Sequence, residues 1–217
     1  MTSKEFVQSL HAENQEALDR LGRLSVAGPA ADDLTVGRLL KVALKNEFEA
    51  TEVAAIWLTS TPELDVKLAL ARQVGDEAKH YRLICERLNE LGESDEIDPR
   101  AGGYSPLFDY LSNLSGTVPR VSAGQFTREG IALVRNQCFI DFCISQGDEK
   151  TAAMYNDIIQ KDEMHHHELG RRLLERYARD EAQQAAARLA ARKTIDLAEE
   201  IQEMARIKAG ISRAPGC

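Results

Sequence analysis

Along nearly every long segment, apolar residues recur at intervals of three and four, and no stretch alternates convincingly at two. This pattern predicts an all-α protein. A first helix is expected over about residues 3–23, followed by the Gly/Pro/Ala turn VAGPAADD. The first of four core helices runs from about Leu34 to Leu58 and stops at Thr59-Ser60-Thr61-Pro62. Thr61 as N-cap, with Pro62 behind it, opens the second core helix, which reaches Leu91 and ends at Gly92. A long connection over about residues 93–121 follows, carrying Pro99, Gly102, Gly103, Pro106, Gly116 and Pro119, with a short helix in SPLFDYLSNL. Such a crossover suits a bundle whose second and third helices lie parallel. Ser122-x-x-Gln125 resembles a capping box at the start of the third core helix, which ends at Gly147. The fourth runs from about Asp148 to Tyr177. Residues 179–209 read as a long Ala/Glu/Arg/Gln helix that either folds back on the bundle or packs on a second subunit, and ISRAPGC reads as disordered. The chain thus divides into an N-terminal helix and turn (1–33), a bundle (34–177) and a C-terminal helix with its tail (178–217).

The polar residues that share the apolar stripes carry the chemistry. On the first core helix Leu40, Leu44, Glu47, Thr51, Ala54 and Leu58 form one line, with Lys41, Lys45, Glu49 and Glu52 opposite. On the second, Leu70, Glu77, His80, Tyr81, Ile84, Leu88 and Leu91 face inward; on the fourth, Ile159, Glu163, His166, Gly170 and Leu174 do. Glu and His three apart lie on one helical face, so Glu77–His80 in GDEAKHY and Glu163–His166 in KDEMHHH are each a two-ligand arm. Buried carboxylates and imidazoles need partners, and a divalent cation satisfies both at once. Mixed oxygen and nitrogen donors suit iron or manganese. A buried network of hydrogen bonds and ion pairs is the competing account.

The third core helix departs from this symmetry. A carboxylate is expected there about ten residues before the turn at Gly147, and position 137 holds Gln137. Phe126, Leu133, Gln137 and Ile144 share a face opposite Arg128, Arg135 and Gln146. Gln137 is therefore the first candidate, with Glu129, which lies off that line, and Asp141 as the alternatives. Tyr81 and Cys138 are expected to flank the site as packing residues.

Glu47 in KNEFEATEV, then Glu77 and His80, then Glu163 and His166 resemble the ferritin-like di-iron carboxylate superfamily, which includes bacterioferritins, rubrerythrins and ubiquinone-biosynthesis hydroxylases. The likeness covers about residues 34–177. It implies a ferritin-like four-helix bundle with a long crossover between helices two and three, and extra helices at both ends. It also implies two iron ions, with manganese as the alternative, held by Glu47, Glu77, His80, Gln137, Glu163 and His166, and dioxygen or peroxide as co-substrate. Gln137 in place of a fourth carboxylate departs from the family pattern and removes one anionic ligand.

Composition narrows the function. A net charge of −8 with no groove-sized basic patch argues against nucleic-acid binding. No apolar run approaches the roughly 20 residues of a membrane span. The N-terminus lacks a signal-peptide core, and Cys85, Cys138, Cys143 and Cys217 form no C-x-x-C pair, which points to free thiols in the cytoplasm. The leading expectation is an oxygen-dependent oxidase or oxygenase acting on a small organic substrate, with a homodimer and an external electron donor as partners. Iron handling or peroxide reduction is the second reading, and a non-catalytic partner subunit with a degenerate site is the third.

Overall fold

The computed structural model describes residues 1–26, 33–93 and 98–217; the expected turn at VAGPAADD lies almost wholly outside them. Among the described residues there are helices and no strand. In order they are α1 (Ser3–Val26), α2 (Val36–Ser60), α3 (Leu64–Glu90), α4 (Pro106–Ser112) and α5 (Thr117–Val121). A π-helical segment (Ser122–Arg128) leads into α6 (Glu129–Ser145). After α7 (Glu149–Met154), a second π-helical segment (Tyr155–Ile159) leads into α8 (Gln160–Tyr177), and α9 (Glu181–Ala209) follows. No described helix is long and apolar enough to cross a membrane.

Local chemistry accounts for most helix ends. Thr35, Ser105, Asp148 and Asp180 each accept a hydrogen bond from a backbone N–H of the first turn, at α2, α4, α7 and α9. Two expected caps are different. Thr61 closes α2 instead of opening α3, its hydroxyl donating to the Trp57 carbonyl at 2.8 Å. Ser122 lies inside a continuous helical run, and its hydroxyl donates to the Ala187 carbonyl of α9 at 2.7 Å. The capping box is absent because the helix already begins at Thr117.

The helix α9 folds back along the chain, packing on α5, the first π segment and α1. The tail beyond it, expected to be disordered, is docked: Gly216 N–H donates to Asn136 at 2.8 Å and Asn46 donates to the Pro215 carbonyl at 3.0 Å. Glu49, placed by its helical phase on the solvent side, is buried. Its carboxylate accepts from the Ser105 N–H at 2.9 Å and from the Ser105 hydroxyl, so it anchors the start of α4.

The interior is layered. One apolar core gathers Val53, Trp57, Leu70, Phe126 and Leu174; another gathers Leu40, Leu44, Ile84, Phe139 and Ile159. Each of α2, α3, the α6 run and the α8 run passes from one core to the other. Glu47, Glu77, Glu129 and Glu163 lie at the crossings. Burying each large side chain in these cores contributes about 1.5–3 kcal/mol, which frames and holds the polar layer between them.

The first π segment approaches its neighbours closely through two glycines. A Cβ on Gly124 would stand 2.6 Å from the Trp57 ring, and one on Gly170 would stand 2.7 Å from the Gln125 and Phe126 backbone. Gly170→Ala is therefore expected to destabilise the protein by about 1–3 kcal/mol, since backbone cannot move aside as a side chain does. Glu49→Ala should cost about 1–3 kcal/mol through loss of charged hydrogen bonds. Urea unfolding checks both; a change below about 0.5 kcal/mol in either would contradict the contact assigned to it.

Candidate metal centre

The polar layer brings four glutamates and two histidines together. Ligand atoms of Glu47, Glu77, His80 and Glu163 lie within 4.8 Å of one another, and so do those of Glu77, Glu129, Glu163 and His166. Glu77 and Glu163 belong to both sets. All six side chains are buried, with His80 and Glu129 at 0 % exposure. The geometry is that of two adjoining positions, each with its own histidine and terminal glutamate, sharing two carboxylates.

Both histidines are oriented by the opposite motif. His80 Nε2 donates to Asp162 at 3.1 Å, and His166 Nε2 donates to Asp76 at 3.2 Å. Asp162 precedes Glu163 and Asp76 precedes Glu77, so each Asp-Glu-x-x-His motif holds the other's imidazole. A carboxylate on Nε2 keeps the proton there and turns Nδ1 to the cluster. His80 Nδ1 lies 3.4 Å from Glu47 and 3.3 Å from Glu77; His166 Nδ1 lies 3.3 Å from Glu163. Lys79 ties the two aspartates, 3.6 Å from Asp76 and paired with Asp162. The Asp before each Glu is a repeated signal that could have revealed this bracing.

The third-helix position is filled by Glu129. Gln73 Nε2 donates to it at 2.6 Å and to Glu77 at 3.2 Å, and the Arg128 guanidinium lies 3.2 Å away. Glu129 Oε2 has no partner among the described residues. Gln137 is on the surface and donates to Asp141, also exposed, at 3.0 Å. The expected inward face holds for Phe126, which is fully buried, but not for Gln137 and Ile144, which are exposed. The helix α6 packs on α1, α7 and α8, and Arg135 reaches the α9 backbone, so its buried arc leaves only Gln137, Asp141, Ile144 and Ser145 exposed. Arg128 and Arg135, which the wheel set toward solvent, are buried. Glu129, a carboxylate, stands in the cluster where a neutral Gln137 was expected. Cys138 faces the Gly22 carbonyl of α1, and Tyr81 is half-buried beside Cys85.

The electrostatics describe an overcrowded anionic pocket. Burial, partly offset by His80, pushes Glu47 up to about 7. Burial and the charges of Glu77 and Glu129 push Glu163 well above the usual carboxylate range. Burial disfavours a charged His80, but hydrogen bonds to Glu47 and Glu77 prevail and raise it to about 12; Glu163 and Glu77 likewise raise His166 to about 10. The protein's own groups thus neutralise the layer by retaining protons, which bound cations would displace. Four carboxylates match the charge of two divalent ions, and the partnerless oxygen of Glu129 is a free donor; the residues fit such a pair. Beside Glu129, a cavity of about 10 Å³ lined by Trp57, Val53, Leu111, Gln73 and Arg128 has room for one water-sized molecule.

No family model, curated protein or solved structure matches this chain. The geometry alone therefore has to carry the functional argument.

Two variants separate the cluster from the surface. Asp162→Ala is expected to weaken divalent-metal binding about 10–100-fold by freeing the His80 ring, as measured by chelator competition. Gln137→Glu should leave metal binding unchanged and stability within about 0.5 kcal/mol, whereas Glu129→Gln should weaken one of two binding steps. Tighter metal binding in Gln137→Glu would return that residue to the site.

Proposed function

We propose that this chain is a ferritin-like protein holding two iron ions, with manganese as the alternative, and that it uses dioxygen to oxidise a small organic substrate. The observation that carries this reading is the pair of Asp-Glu-x-x-His motifs, braced crosswise around four buried glutamates. Two ferrous ions held there would supply the electrons that reduce dioxygen.

Glu77 and Glu163, common to both positions, would be shared by the two ions. Glu47 with His80, and Glu129 with His166, complete the two ends. Asp162 and Asp76 hold the Nε2 protons, so each Nδ1, once a cation displaces its own proton, would present its lone pair inward. Gln73 and Arg128 restrain one oxygen of Glu129 and leave the other available to shift. Trp57, Val53 and Leu111 wall the adjoining cavity with apolar surface, which limits water next to the reacting position. That cavity's size specifically favours a second reading, reduction of peroxide, which needs no room for an organic substrate there.

Protein purified under iron-replete conditions is expected to contain two irons per chain by elemental analysis. Its ferrous form should consume dioxygen or peroxide. Glu77→Ala or Glu163→Ala should lose the metals while the helical circular dichroism survives, because a bridging charge is lost but little core volume. Full metal stoichiometry in either variant would sink the two-metal reading. Faster oxidation by peroxide than by dioxygen would favour the second.

A further inference from the structure

A second cavity lies between the docked tail, α2, α6 and α9, away from the six glutamate and histidine side chains. Its volume is about 70 Å³. At roughly 10–15 Å³ for each water-sized occupant, it has room for about five to seven non-hydrogen atoms. Val42, Leu107, Ile201 and Ile211 give it aliphatic walls, and Arg135 and Arg213 bring guanidinium groups to the same lining.

Arg135 is the unusual member. It is only 8 % exposed, and burial lowers its pKa. Among the described residues its hydrogen bonds leave from Nη2, to the Ala198 carbonyl at 2.8 Å and to Gln202 at 3.0 Å. Neither partner carries a charge. The group whose field favours charged Arg135 most is Cys217 on the docked tail, which makes no hydrogen bond to it among the described residues; Glu199 of α9 acts more weakly and is committed to Arg20 at 2.6 Å. A buried cation whose hydrogen bonds go only to neutral groups is costly, and among the described residues no hydrogen bond occupies Nε or Nη1, which remain for another acceptor.

We propose that this cavity binds a short-chain organic monocarboxylate, its carboxylate on Arg135 and its alkyl part against Val42, Leu107, Ile201 and Ile211. A guanidinium edge matches a carboxylate with two parallel hydrogen bonds. Aliphatic walls and the limited volume select a chain of about four carbons over a bulkier or more highly charged anion. The tail forms one wall, and the Cys217 carbonyl on that tail accepts from Arg128 at 2.9 Å, the same guanidinium that holds Glu129. The bound acid therefore sits one side chain away from the candidate metal centre, yet its recognition does not depend on metal.

The test is calorimetric titration of the full chain with sodium butanoate and with neutral butanamide at constant ionic strength. Butanoate is expected to bind at one site and at least tenfold more tightly than butanamide. Arg135→Gln should weaken butanoate at least tenfold, while Arg192→Gln, an exposed change on α9, should leave it unchanged. Equal affinity for the acid and the amide would overturn the proposal, as would undiminished butanoate binding in Arg135→Gln. Should Arg135→Gln fail to fold, Ala205→Leu, which fills the cavity from α9, takes its place: loss of butanoate binding supports the pocket and retention overturns it. Metal content is read separately, so this outcome and that of the two-metal reading are independent.

Discussion

Everything in this protein is arranged around the difficulty of burying four carboxylates in one layer of a helical core. Like charges at that spacing cannot all ionise in a low-dielectric interior without counter-charge. Two imidazoles, one guanidinium and retained protons supply part of it. The apolar cores above and below the layer, one around Trp57 and Phe126 and one around Leu40 and Phe139, provide the stability that tolerates this concentration of charge. Groups so disposed could hold a metal ion, and the proposed chemistry rests on that.

The helices that carry the layer are not regular. Both runs supplying its second half, α6 and α8, are entered through π-helical segments, which are frequent beside functional sites. The first of these brings backbone against Gly170 and a Trp57 ring edge against Gly124, and places Glu129 where Gln73 and Arg128 reach it. Irregular backbone and close glycine contacts thus do for Glu129 what a simple apolar stripe does for Glu47.

The additions at the chain's ends also complete the interior. The tail beyond α9 is held by Asn46 and Asn136 and, through Cys217, by Arg128. It closes the cavity at Arg135 and connects it to the glutamate layer through a single guanidinium. What looked in sequence like a spare appendage is one wall of a cavity.

Much of the site was legible from periodicity alone. Glu47, Glu77, His80, Glu163 and His166 each interrupt a one-sided apolar stripe, and the two Glu-x-x-His spacings hold on any helix, because three residues nearly complete a turn. The helical class followed from the same periodicity. The third-helix position did not, since α6 is buried on nearly all sides and a helical wheel has no phase to report when almost every face is covered. Glu49 and Arg135 were misplaced for a related reason: a charged residue is read as solvent-facing until a distant partner, here Ser105 or the α9 backbone, is known. Spacing within a helix belongs to the sequence. Which face meets which neighbour is settled by long-range packing, where burial and hydrogen-bond partners far along the chain outweigh local polarity.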